Sequence, residues 1–148
     1  MLSQKAKYAM RALLYLAKAN SDEPVGIAEI AAKQAVPRKF LELILLELKR
    51  NGFVQSFRGK HGGYALAKTP EEIHFGEVIR LIDGPLAALP CASLTAYRRC
   101  SDCEDEATCA IRRILKQVRD ASSGILDRTS LSDVLDGQAG ELVMGDGI

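Results

Sequence analysis

Outside one short window the chain has no cysteine, and inside it there are four, at positions 91, 100, 103 and 109. Histidine is nearly as scarce, with His61 and His74 the whole supply. Both fall in segments with other assignments, and no thioredoxin-like βαβ pattern surrounds Cys100-Ser101-Asp102-Cys103, so a thiol oxidoreductase stands only as the rival reading. No apolar stretch is long enough to span a bilayer. The apolar run behind Lys5 and Lys7 is broken by Arg11, and no small-residue cleavage site follows it, so a secretory signal is not expected. Internal repeats and low-complexity segments are also absent. A chain of 148 residues, 47% hydrophobic and 26% charged, reads as an ordinary globular protein of the cytoplasm, large enough to bury a core without staples.

The cysteine window carries the site chemistry. Intervals of eight, two and five residues allow the four thiols to surround one centre, and soft ligands favour a soft metal or a redox couple. Structural disulfides belong to oxidising compartments. Structural zinc usually shows two tight cysteine pairs, whereas only Cys100 and Cys103 form one here. An iron–sulfur cluster, zinc and unliganded redox thiols all stay open on spacing alone. Pro90 opens the stretch, and Ser93, Ser101 and Asp102 punctuate it, which predicts a loop that delivers Cys109 onto the start of the next helix.

Charge divides the chain. Residues 1–68 carry 12 Lys and Arg against 5 Asp and Glu, a balance of +7, and residues 69–148 carry 8 against 14, a balance of −6; together they give the net +1. A polyanion partner, nucleic acid first, suits only the basic half.

Periodicity predicts three helices in the first fifty residues. Ser3 is a candidate N-cap for the first, with Ala6, Ala9, Leu13, Leu16 and Ala17 on its inner face. The second covers residues 26–34 with Ile27, Ile30 and Ala31 inside. Pro37 opens the third, whose stripe is Leu41, Ile44, Leu45 and Leu48, and Asn51-Gly52 ends it. The pattern then becomes strand-like on both sides of Arg58-Gly59-Lys60-His61-Gly62-Gly63, a hairpin with a basic, glycine-rich tip. A hairpin behind a helix-turn-helix is the wing of a winged helix. A turn over residues 69–72 and a short helix ending at Asp83-Gly84-Pro85 follow. From Ile111 on, Ile114, Leu115, Val118, Ile125 and Leu126 keep helical spacing, with Arg112, Arg113, Lys116 and Arg119 assigned to the opposite face. So long a stripe predicts a homodimer through Ile114, Leu115, Val118 and Ile125, its first turn packing on the helix-turn-helix core. The expected fold class is mainly α with a small β-hairpin, a winged helix-turn-helix plus a long C-terminal dimerisation helix. The expected divisions are residues 1–84 for the winged helix, 85–110 for a sensor loop, 111–136 for the dimerisation helix and a short cap, and 137–148 for a loose tail.

The segment SFRGKHGGYALAKTPEEIHFGEVIRLIDG resembles the wing and following helix of the Rrf-two family of bacterial regulators. The likeness begins at LSQKAKYAMRALLYLA, continues through IAEIAAKQAVPRKFLELILLELKRNGFV and reaches the helix after the cysteine loop. It implies a winged-helix homodimer on pseudo-palindromic double-stranded DNA, which in the cluster-bearing members senses iron, oxidants, nitric oxide or cluster supply. It also implies DNA contacts at Arg38, Lys39 and Glu42 of the third helix and at Arg58 of the wing, whose tip adds Lys60 and His61. Arginine and lysine suit guanine edges or phosphate, and glutamate suits a cytosine amino group. By the same resemblance Cys91, Cys103 and Cys109 ligate a two-iron or four-iron iron–sulfur cluster, and Cys100 is an additional thiol. Relatives take a fourth ligand from a histidine three residues past the last cysteine or from a carboxylate near the N-terminus of the partner subunit, and here those positions hold Arg112 and Lys7. Cys100 is therefore the candidate fourth ligand, the alternative being a bystander thiol.

Overall fold

The computed structural model describes residues 2–19 and 23–137; the tail expected from Gly137 lies, beyond that residue, outside the described residues. The elements follow the order α1 (Gln4–Ala19), α2 (Ile27–Gln34), α3 (Arg38–Arg50), β1 (Val54–Phe57), β2 (Gly63–Leu66), α4 (Phe75–Asp83), α5 (Ala110–Leu126) and α6 (Leu131–Leu135), with short 3₁₀ turns at Pro70–Glu72 and Pro90–Ala92.

The predicted stripes of α1 and α3 become the core, joined by Ile30 of α2, with Ile27 and Ala31 partly buried against it. Ser3 Oγ accepts from the Ala6 N–H at 3.0 Å, satisfying one orphan donor of the first turn of α1. Ala6, Ala9, Leu13, Leu16 and Ala17 are all buried, as are Leu41, Ile44, Leu45 and Leu48 of α3. Tyr8 and Phe40 meet edge to face at 5.8 Å, joining α1 to α3. Between α2 and α3 the backbone turns through Ala35 in the left-handed region at φ 52°, a conformation that usually costs a non-glycine residue ~1–2 kcal/mol.

Strands β1 and β2 pair antiparallel in the register Val54↔Leu66 to Phe57↔Gly63. The hairpin is also pinned to the chain ahead of α2: the Val25 N–H donates to the Tyr64 carbonyl and the Tyr64 N–H to the Val25 carbonyl, both at 2.8 Å. A side chain at Gly63 would meet the Val25 carbonyl oxygen at 2.2 Å, so the close approach that holds the wing in place admits glycine alone.

Segment 111–136, expected as one dimerisation helix with its cap, divides in two. Helix α6 packs on α1 and on the Pro70–Glu72 turn. Its Leu131 is fully buried in the same core as Leu13 and Leu45. A bridge between His74 and Ser130 and the bond from the Leu131 N–H to the Ile73 carbonyl, 2.9 Å, fix it there. The first turn of α5 does not pack on the helix-turn-helix core: Ile111 is 66% exposed and Ile114 54%. Among the described residues no helix is long and apolar enough to cross a membrane.

Candidate nucleic-acid interface and cysteine site

Because one face of α3 is committed to the core, the helical period turns Arg38, Lys39 and Glu42 outward, and all three are exposed. Arg38 Nε lies 3.4 Å from Glu42 Oε1, one turn along, so the carboxylate is already engaged by its own helix. Arg58, Lys60 and His61 are exposed at the wing tip. Leu43 and Leu46 share the outer face of α3, 62% and 39% exposed. They were not singled out in the sequence, although the spacing of the buried stripe places both outside it.

The predicted loop does deliver Cys109 to a helix start. Cys109 is the N-cap of α5, its sulfur accepting from the Arg112 N–H at 3.4 Å. Cys91 lies in the Pro90–Ala92 turn and is buried. Cys100 donates to the Cys91 sulfur across 3.6 Å. That bond, helped by partial desolvation and neighbouring negative charge, pushes the Cys100 thiol above its ordinary range. The rest of the loop is stitched by polar groups. Tyr97 Oη donates to Glu106 Oε1 at 2.5 Å, and Arg99 donates to the carbonyls of Cys103 and Glu104 at 3.2 and 3.1 Å.

All four cysteines line one cavity of about 410 Å³, with Asp102, Glu104, Asp105 and Arg112 also on its wall. All four are free thiols. Among the described residues no three His, Cys, Asp or Glu side chains converge closely enough to hold a metal ion, so Cys103 and Cys109 share the wall of the cavity without joining the Cys91–Cys100 contact.

Two of the cations assigned to the face opposite the apolar stripe are bonded to the cysteine loop. Arg112 Nε donates to the Cys91 carbonyl at 3.0 Å. Arg119, 8% exposed, donates to the Ala92 carbonyl and to Asp120 Oδ1, the latter at 2.8 Å from Nε. Periodicity places a residue on a helix face but says nothing of a loop carbonyl that comes to meet it. With the cations inward, the apolar side chains Ile111, Ile114, Val118 and Ile125 stand exposed on α5, and Leu115 is half-buried. The far end of α5 is tied to α4 by a two-pronged ion pair, Arg80 Nη1 and Nη2 to the two Asp127 oxygens at 2.6 and 2.8 Å. This pair holds the Asp127 carboxyl below the usual range.

Residues 2–137 match the family model Rrf2, described as an iron-dependent transcriptional regulator. An rrf2-like regulator of Rhodobacter capsulatus is 46% identical over 91% of this chain and 92% of its own length. The transcriptional regulator NsrR of Bacillus licheniformis is 31% identical over 90% of this chain and 91% of its own. Among solved structures, CymR, the global cysteine regulator of B. subtilis, superposes with a TM-score of 0.75 at 30% identity, over 90% of this chain and 95% of that one.

Proposed function

The chain belongs to the Rrf2 family of transcriptional regulators, and from that premise we propose that it is a homodimeric DNA-binding regulator whose cysteine loop carries an iron–sulfur cluster. Its work is regulation, without catalytic turnover. Helix α3 enters the major groove with Arg38, Lys39 and Glu42, while Arg58, Lys60 and His61 of the wing reach the neighbouring minor groove or backbone. The exposed face of α5, through Ile114, Leu115, Val118 and Ile125, pairs two copies, and the twofold arrangement matches a pseudo-palindromic operator. A cytoplasmic location goes with this role.

The observation that carries the cluster reading is the common cavity of Cys91, Cys100, Cys103 and Cys109. Four soft donors on one wall suit iron and sulfide. The 3.6 Å between the Cys91 and Cys100 sulfurs is close to the ~3.8 Å that two thiolates adopt on one tetrahedral ion with bonds of about 2.3 Å. Bound there, a two-iron or four-iron cluster supplies a one-electron couple and a centre that reactive small molecules can attack. The protein's own residues hold its sulfurs, bury Cys91 and join the loop to the dimer helix. The same sulfur contact favours a second reading, a cluster-free regulator in which Cys91 and Cys100 respond as a thiol pair.

Anaerobic purification and reconstitution separate the two. Iron and acid-labile sulfide in proportion, with broad visible absorption lost in both Cys91→Ala and Cys100→Ala, are expected for four thiolates. Full iron and an unchanged spectrum in Cys100→Ala remove Cys100 from the ligand set. A colourless, metal-free parent that loses two titratable thiols on treatment with peroxide supports the second reading.

A further inference from the structure

The cavity wall is electrostatically lopsided. Asp102, Glu104 and Asp105 line it beside the four cysteines, and among the described lining residues Arg112 is the only cation. Asp102, Glu104 and Asp105 are exposed to water, but thiolates held at a metal centre add negative charge on the inner side of the same wall, where a nearby cation is favourable. Arg112 is also tied to both ends of the loop. Its side chain donates to the Cys91 carbonyl at 3.0 Å, and its backbone N–H donates to the Cys109 sulfur at 3.4 Å. Its Nη2 stands 4.0 Å from Glu106 Oε2, whose partner oxygen accepts from Tyr97. One residue therefore touches the first cysteine, the last cysteine and the loop between them.

We propose that Arg112 is the positioning residue of the cysteine cavity: it fastens the turn that holds Cys91 to the start of α5 and supplies the positive charge that offsets the thiolates of the cavity when they bind a metal. The proposal rests on the reading that these cysteines bind a metal. It assigns to this position a role in the surroundings of the metal, with the thiolates alone doing the ligation.

The molecule contains its own control. Arg119, two turns further along α5, fastens the same Pro90–Ala92 turn through the Ala92 carbonyl but is not part of the cavity wall. If Arg112 only anchored the turn, Arg119 would be equivalent to it.

The probe is cobalt(II), added under anaerobic conditions to the full-length, cluster-free protein and followed by sulfur-to-cobalt charge-transfer absorption in competition with a chelator. Arg112→Gln keeps the bulk and part of the hydrogen bonding while removing the charge, and it is expected to weaken cobalt binding about tenfold or more. Arg112→Lys is expected to recover most of the loss. Arg119→Gln is expected to lower the thermal midpoint while leaving cobalt affinity near that of the parent. Circular dichroism checks that each variant folds, and the lysine variant carries the test if the glutamine variant does not. Equal cobalt affinity in Arg112→Gln and parent overturns the proposal, as does equal weakening by Arg112→Gln and Arg119→Gln. Failure of lysine to recover any affinity removes the charge role. A parent that binds no cobalt through its cysteines overturns the metal reading itself, a result distinct from all of these.

Discussion

From residue 4 to residue 83 the chain buries the stripes of α1 and α3, Ile30 of α2, the strand residue Val54 and Val78 of α4 around one continuous core; between residues 85 and 126 the buried residues are Cys91, Ala92, Ser93 and Arg119. The winged-helix half is closed by apolar burial, which contributes ~1.5–3 kcal/mol for each large side chain removed from water. The cysteine loop and α5 are held by hydrogen bonds to carbonyls and carboxylates, worth about 1 kcal/mol each, and they leave their apolar side chains outside. A region of the first kind is finished as a single chain. A region of the second kind has few buried apolar contacts holding it closed, which is what the proposed sensor and dimer face would require.

Three substitutions break or sharpen that contrast. The largest effect is expected at Leu131, which lies beyond α5 in sequence but in the winged-helix core in space. Leu131→Ala should cost ~2–5 kcal/mol of global stability, read by urea unfolding, because the cavity it leaves is sealed by α1 and the Ile73 segment. A loss below about 1 kcal/mol would show the core closes without α6.

Val118→Asp tests the other side. Val118 is 51% exposed, so the monomer should keep its thermal midpoint, while an unpaired carboxylate at the centre of the α5 face should cost the dimer on the order of 3 kcal/mol. Sedimentation showing an unchanged dimer would locate the interface elsewhere. The smallest change is expected from Arg58→Ala, at the exposed wing tip: ~1–3 kcal/mol of DNA affinity, larger on a selected operator than on random duplex, with folding untouched. Equal binding by mutant and parent would take the wing out of the interface.

The sequence made the winged-helix half legible because local signals there agree with one another. The stripe of α3, the stop at Asn51-Gly52 and the switch to strand period all describe the same core, and a buried face imposes its period on the sequence. Residue type marked the cysteine loop as a candidate site, and Cys109 arrives at the start of α5 as the punctuation of the loop suggested. The partners of Arg112 and Arg119 were not legible. Both sit on the face that a helical wheel calls polar, and their partners are main-chain carbonyls some twenty or more residues away, to which side-chain pattern is blind. The docking of α6 escaped for a related reason: five residues carry too little period to reveal which surface they cover.

That docking has a consequence for how the protein is made. The ribosome adds about 5–20 residues per second. The 48 residues from Asp83 to Leu131 therefore take roughly 2–10 s, during which the nascent winged helix waits without the side chain that seals its core. Assembly of the head is deferred until the cysteine loop and α5 have already been synthesised. A polypeptide that ends within the loop lacks Leu131 and its bond to the Ile73 carbonyl.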